Sequence, residues 1–228
     1  MKKILLYALL ILLIAYPVFP MNTAILSGSG EGSAATSYIM QETFDGVGTD
    51  QTWTDRAGTG TWDTDYAAGQ APLEGTHSLQ CVTEGRSLDW SGVDTTYITF
   101  MVSLPANSTA NYLFDLSDGT DAIGKIRLGD VEGTKYFELG YSGAASYITG
   151  SNVAISANTT YYIKIKYVKG TGANASWQLW VSTDGSNWTD EGSVANASDT
   201  TQLTRLQTWG SYEMVIDDVR VDESDINY

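Results

Sequence analysis

Two residue types that commonly carry catalysis occur once each, as His77 and Cys81. Four residues apart on a strand, they share a face, but at about 3.3 Å per residue they are too far apart to touch. A Ser–His–Asp arrangement would depend on this one histidine, and a zinc site needs several His or Cys ligands. The sequence therefore disfavours histidine-based, thiol-based and zinc-dependent chemistry.

Aromatic side chains are better suited to ligand binding, and the chain has 7 Trp and 14 Tyr. Flat rings with a polar edge can stack on sugar rings and still form hydrogen bonds. Trp180 alternates with Trp177 and Val181 and so lies opposite their predicted core face. Packing in the core or at an edge is the alternative for each of these side chains. The predicted ligand-binding residues are Trp62, Tyr66, Trp180 and Trp209.

A pair of acidic residues near the end of the chain, Asp217 and Asp218, offers oxygen ligands of the kind that calcium prefers. The core-facing residues of this segment are predicted to be Val215, Val219 and Val221. Asp217 also has an odd number and would therefore lie on the same face of the strand. Either a β-bulge turns Asp217 outward, or Asp217 points inward and a bound cation compensates its charge. Two solvated acids at the end of a strand are the further alternative.

These residues must be positioned by strands, because period-2 alternation recurs from residue 38 onward. Ile98, Phe100 and Val102 form one apolar face, and Asp184-Gly185 is typical of a tight hairpin turn. With 228 residues, 43 % of them hydrophobic, the chain can bury a core. We expect a single all-β domain, a sandwich or a barrel. The net charge of −15 argues against nucleic-acid binding.

The N-terminal residues 1–24 have the pattern of a signal peptide. Lys2 and Lys3 precede an apolar run over residues 4–15, which Pro17 and Pro20 follow. The run is shorter than the roughly 20 apolar residues of a membrane span. An uncleaved anchor is the alternative. We expect residues 25–37 to be a flexible Gly/Ser-rich leader, residues 38–228 to be the folded domain, and the cleaved product to be secreted, extracellular or cell-surface, without a membrane attachment.

Several segments resemble those of laminin-G-like, concanavalin A-like jelly rolls. Tyr112–Leu128 resembles their strand–loop–strand unit, and Thr160–Tyr167 with Trp177–Trp188 resembles their paired strands and hairpin. Glu42–Gly46 and Ile216–Val221 are similar to the first and last strands of secreted lectin-like sandwiches. The resemblance extends over about residues 38–224 and implies a two-sheet antiparallel jelly-roll β-sandwich.

The resemblance also implies a glycan or protein ligand and, in some relatives, a calcium ion. First and last strands commonly lie side by side in a jelly roll, which would bring Asp45 or Glu42 close to the acidic pair. The predicted metal ligands are Asp45, Asp217 and Asp218, and the predicted cofactor is Ca²⁺.

Glycosidases of this architecture resemble one another in a strand of the type Glu-x-Asp-x-(x)-Glu, whose carboxyls flank the scissile bond. No such triplet occurs in the sequence. The prediction is therefore a secreted, non-catalytic carbohydrate-binding module that binds a glycan or a cell-surface polysaccharide. The first alternative is a structural or adhesive surface, filament or virion protein, with a protein partner or self-association. A glycan-cleaving enzyme is the second.

Overall fold

The computed structural model describes residues 38–42, 54–55, 73, 78–81, 86–105, 112–141, 147–197, 199–208 and 214–228. These ranges contain strands and turns but no α-helix. It follows that none of the described ranges holds a helix able to cross a membrane. The predicted signal peptide over residues 1–24 and the leader over residues 25–37 lie outside the described residues and stay predictions.

The strands of the first sheet run, in spatial order, β1 (Met40–Glu42), β14 (Met214–Asp222), β5 (Thr95–Ser103), β10 (Thr160–Val168), β11 (Ala175–Ser182) and β12 (Thr189–Ala197). A seventh strand, β3 (Leu79–Cys81), also pairs with β14. β1 contacts the second half of β14 and β3 contacts its first half, so both lie on the same side of that strand. The predicted adjacency of the first and last strands is confirmed.

The second sheet also has seven strands, in the order β2 (Thr54–Asp55), β4 (Arg86–Val93), β13 (Leu203–Thr208), β6 (Phe114–Ser117), β7 (Ala122–Val131), β8 (Thr134–Tyr141) and β9 (Tyr147–Thr149). All described strand pairs in both sheets are antiparallel. The protein is an all-β, two-sheet jelly-roll sandwich, as the sequence predicted.

The core lies between the two sheets and is built from the alternating apolar faces seen in the sequence. Ile98, Phe100 and Val102 of β5 are completely buried. The ring of Phe100 meets that of Phe114 from the opposite sheet at a centroid distance of 4.8 Å. Each fully buried side chain of this size stabilises the fold by about 1.5–3 kcal/mol. Because successive side chains alternate, this core fixes which residues face outward on each strand.

Candidate functional site

A pocket of about 170 Å³ lies on the second sheet, where β6, β7, β8 and β9 are neighbours. Lys125 of β7 pairs with Gly140 of β8, and Gly140 pairs in turn with Tyr147 of β9. These three residues therefore form one row across the outer face of the sheet. Tyr112, which precedes β6, also lines the pocket.

Gly140 allows the ring of Tyr147 to lie across β8. A Cβ atom at position 140 would be 2.2 Å from Cε1 of Tyr147, which is far inside the contact distance of two carbons. A glycine inside a strand often marks such a close approach of another group. The flat placement of Tyr147 in the pocket thus depends on the missing side chain at position 140.

Arg127 holds Tyr147 from the adjacent row. Its guanidinium carbon lies 3.3 Å from the centroid of the Tyr147 ring, in a stacked cation–π contact. Arg127 Nε donates a hydrogen bond of 2.6 Å to Glu138 Oε2 on the neighbouring strand. Glu138 is buried, and its ion pair with Arg127 fixes the orientation of the guanidinium.

Tyr112 and Tyr147 meet at their hydroxyls, which are 3.5 Å apart. The hydrogen bond between them lowers the pKa of Tyr112 and raises the pKa of Tyr147, and either hydroxyl can be the donor. Burial raises the pKa of Tyr147 further, while Arg127 and Lys125 lower that of Tyr112 by charge. Lys125 Nζ lies 5.3 Å from the centroid of the Tyr112 ring.

Three tyrosines, Tyr112, Tyr141 and Tyr147, line the pocket together with the ammonium group of Lys125. None of the described lining residues is an Asp or Glu, and Glu138 is turned toward Arg127. Pockets for drug-sized ligands measure about 300–1,000 Å³. The smaller volume suits a single ring with polar substituents.

Trp180 is the one predicted ligand-binding residue that the described ranges include. It is half-buried on the outer face of the first sheet, opposite the buried Trp177, as its alternation predicted. Lys164 Nζ lies 5.4 Å from its ring centroid. The structure places it on a different sheet from the pocket, so it is not part of that site. Trp62, Tyr66 and Trp209 lie outside the described residues.

The C-terminal residues cover the first sheet beside Trp180. Asp225 accepts a 2.9 Å hydrogen bond from Lys164 Nζ, and the Tyr228 ring packs edge-on against Tyr162. Lys164 is consequently buried on a strand face that would otherwise be open. This face is occupied by the chain itself next to Trp180, whereas the pocket on the second sheet is open.

The predicted metal ligands Asp217 and Asp218 lie at a β-bulge. Asp217 is opposite Met101, but Arg220 is opposite Thr99, so β14 has an extra residue between them. The bulge shifts the parity of the strand, and Ile216 joins Val219 in the core. Val215 is fully buried, as predicted, but lies outside the main cluster that Ile216 and Val219 join. The bulge places Asp217 on the face opposite Ile216, where the residue is 1 % exposed.

The two carboxylates of this pair take different partners. Asp217 Oδ2 accepts a 2.5 Å hydrogen bond from Ser78 Oγ, and its Oδ1 accepts one from the Asp218 amide. Asp218, at φ 42°, forms an ion pair with Arg220. Neutralised in this way, Asp218 is a poor metal ligand.

Within the described ranges, no group of three His, Cys, Asp or Glu side chains is arranged to hold a metal. Asp45 lies outside those ranges. Glu42, the other acidic residue expected nearby, is fully buried opposite Val219 of β14. Calcium binding stays a prediction that depends on Asp217 with Asp45.

Sequence reasoning missed the pocket residues Tyr112, Lys125 and Tyr147. Two signals pointed to them. Lys125 and Arg127 alternate with Ile126 and Leu128, which places both cations on the outer face of one strand in an acidic chain. Gly140 is an isolated glycine at the end of an apolar strand, which indicates a close approach of another group.

Neither a search against protein-family models nor one against curated proteins gives a match for this chain. Solved structures do match its fold. An endo-β-1,4-glucuronan lyase from the fungus Trichoderma reesei superimposes with a TM-score of 0.53 at 9 % identity, covering 84 % of this chain and 98 % of the lyase. The globular domain of T. cruzi calreticulin gives 0.53 at 10 % identity, covering 83 % and 89 %.

A third similar structure is domain 4 of an extracellular arabinanase from Geobacillus stearothermophilus, solved in complex with arabinotriose. Its TM-score is 0.52 at 15 % identity, covering 81 % of this chain and 91 % of that domain. At these identities the likeness concerns the fold. The chain has the concanavalin A-like jelly-roll fold that its sequence resembled, a fold used by carbohydrate-binding and carbohydrate-active proteins.

Proposed function

We propose that the protein is an exported, non-catalytic carbohydrate-binding module, and that the pocket around Tyr112 and Tyr147 is its binding site. The observation that carries the proposal is the Tyr147 ring, which lies close against Gly140 and is held by the guanidinium of Arg127. A fixed ring with phenolic hydroxyls beside it matches a sugar, which has both C–H faces and hydroxyls. The arabinotriose complex of the arabinanase domain supports the proposal at the level of the fold.

The pocket chemistry argues against one catalytic route, the hydrolysis of a glycosidic bond. Hydrolysis by the usual route needs two carboxyl groups on either side of the bond. The described lining contains no Asp or Glu, and the nearby Glu138 is paired with Arg127. Incubation with oligosaccharides should therefore release no new reducing ends, and an increase would contradict the non-catalytic part of the proposal.

Binding can be tested by screening a glycan array and measuring the affinity of each hit by calorimetry. We expect Tyr147→Ala to weaken binding roughly tenfold, because it removes a wall of the pocket together with a hydroxyl whose hydrogen bond to the ligand would contribute about 0.5–1.5 kcal/mol. The matched control is Tyr97→Ala, since Tyr97 lies under Lys166 on the other sheet in a similar cation–π contact. Equal affinity of Tyr147→Ala and wild type would remove the pocket as the site.

The alternative, a structural or adhesive protein that associates through its sandwich, predicts an exposed apolar surface. In the described part of the chain, Val131 is the one large hydrophobic residue that is exposed. No described surface therefore favours this alternative over glycan binding. Light scattering over a range of concentrations would reveal self-association.

A further inference from the structure

The pocket contains two neighbouring cations in a chain with 12 Lys+Arg and 27 Asp+Glu. Lys125 and Arg127 are two residues apart on β7 and so lie on the same outer face. Lys125 lines the pocket, and Arg127 stacks on its Tyr147 wall. Such a local excess of positive charge on an acidic protein needs a physical account.

Lys125 forms no ion pair with any carboxylate in the described part of the chain. Asp115 is its cross-strand partner on β6, yet the two form no ion pair. The described cations with carboxylate partners show the contrast: Arg127, Lys135, Lys164, Lys169, Arg205 and Arg220 each form an ion pair. Lys125 contacts the face of Tyr112 instead. Its ammonium therefore keeps hydrogen-bond donors for a ligand in the pocket.

Arg127 has donors beyond the one that bonds Glu138, and it also interacts with Tyr112 by a side-chain hydrogen bond. Its hydrogen bond to Glu138 uses Nε, and its side chain is 30 % exposed. The Nη nitrogens have the fork geometry that suits a carboxylate. Together, Lys125 and Arg127 bring two positive charges to this part of the sheet, where Glu138 pairs with Arg127 and Asp115 lies across the strand from Lys125 without an ion pair to it.

We infer that the pocket binds a uronic-acid residue of an acidic glycan, with the sugar ring against Tyr147 and its carboxylate at Lys125. This inference rests on the proposed function and names the class of sugar for the same site. A neutral sugar would use the rings and hydroxyls but would leave the Lys125 charge unpaired. A carboxylate satisfies that charge with a charge-assisted hydrogen bond.

The distance of each charged group from a bound sugar decides how strongly that group affects binding. At physiological ionic strength the Debye length is about 8 Å, so most of the surface carboxylates are screened from a bound sugar. The Lys125 ammonium, about 5 Å from the Tyr112 ring centroid, is within that length of any ligand in the pocket. The local cation therefore outweighs the net charge of −15 once the ligand is bound.

The test compares tetrasaccharides that differ only in their carboxylates: β-1,4-glucuronate against cellotetraose, α-1,4-galacturonate against its neutral galactose counterpart, and mannuronate against mannotetraose. We expect at least one uronate to bind about tenfold tighter than its neutral partner, because hydrogen bonds to charged groups contribute about 1.5–3 kcal/mol. Lys125→Gln should lower the affinity for that uronate to about the affinity of its neutral partner. Lys166→Gln is the matched control, since Lys166 lies 5.4 Å from the Tyr97 ring outside the pocket.

Each outcome of this experiment has one meaning. Equal binding of uronate and neutral partners, or a preference that survives Lys125→Gln, would overturn the inference and leave the proposed carbohydrate binding intact. Tighter binding of a sulfated carrageenan tetrasaccharide would also overturn it. If no glycan bound in this set or on the array, the proposed function itself would fail. Circular dichroism of the Lys125→Gln variant confirms that it is folded.

Discussion

Asp184 organises the hairpin between β11 and β12 with its own side chain. Its Oδ1 accepts hydrogen bonds from the amides of Ser186 and Asn187 at 2.9 and 2.7 Å. These bonds to the ionised carboxylate, with a further one from the Asn187 side chain, hold the pKa of Asp184 well below its usual range. The Asp-Gly pair lies in the hairpin as predicted, with Gly185 at φ 73°, but the connection runs over residues 183–188 and is longer than a tight turn.

This depressed pKa makes a prediction about acid stability. The ionised carboxylate stabilises the folded state above the unfolded pKa of about 3.8, and this contribution is lost as the pH falls below it. We expect Asp184→Ala to lower the melting temperature at pH 7. The difference in melting temperature between the variant and wild type should become smaller below pH 3.8. Thr183→Ala, an exposed neighbour in the same turn, is the control. A difference that stayed constant down to pH 2 would contradict the prediction.

At the scale of the element, the bulge in β14 depends on an ion pair. Asp218 is 3 % exposed and its backbone is in the left-handed region at φ 42°. Arg220 Nε donates a 3.0 Å hydrogen bond to Asp218 Oδ1, and its guanidinium lies over the Tyr228 ring. The pair therefore links the bulge to the C-terminal residues.

Replacing one member of this pair should cost more than replacing both. Asn tolerates a positive φ and has the shape of Asp, so Asp218→Asn isolates the loss of charge. We expect a cost of about 3 kcal/mol in chemical denaturation, because Arg220 keeps a largely buried charge without its partner. The double variant Asp218→Asn with Arg220→Met should recover part of that loss. A double variant less stable than the single one would show that the pair is not the cause.

The same elements show what the sequence could and could not predict. The core-facing residues of β5, β10 and β11 followed from alternation, although β5 is buried on both faces over residues 98–103. The bulge was weighed as an alternative, but without its position Val215 was assigned to the face of the main core cluster in place of Ile216. An extra residue exchanges the inward and outward faces of a strand on one side of the bulge relative to the other. Alternation alone therefore could not show which residues before the bulge face the core.

The pocket was out of reach for a different reason. It depends on the register that places Lys125, Gly140 and Tyr147 in one row, and that register is a property of three strands together. Each residue is ordinary in its own segment. Lone tryptophans drew attention because they are rare, whereas the ring that forms the pocket wall is one of 14 Tyr.

At the scale of the whole molecule, calcium binding can be tested through stability. A ligand that binds only the folded state stabilises it by about 2.7 kcal/mol at a hundredfold excess over its dissociation constant. If Asp217 and Asp45 hold Ca²⁺, EDTA should lower the melting temperature and added Ca²⁺ should restore it. Asp217→Asn should remove this response, while Asp115→Asn, a buried acid on the other sheet, should keep it. An unchanged melting temperature in EDTA would end the calcium proposal.

The pairing of β14 with both β1 and β5 has a consequence for synthesis on the ribosome. Gln41 and Asp218 are 177 residues apart, so β1 can pair with β14 only after almost the whole chain has been synthesised. About 110 residues separate the end of β5 from the start of β14, and translation at about 5–20 residues per second takes roughly 6–22 s to cover them. During that interval β5 presents an unpaired edge, which is the vulnerable state of a nascent β-sandwich and the point at which a chaperone would have most effect.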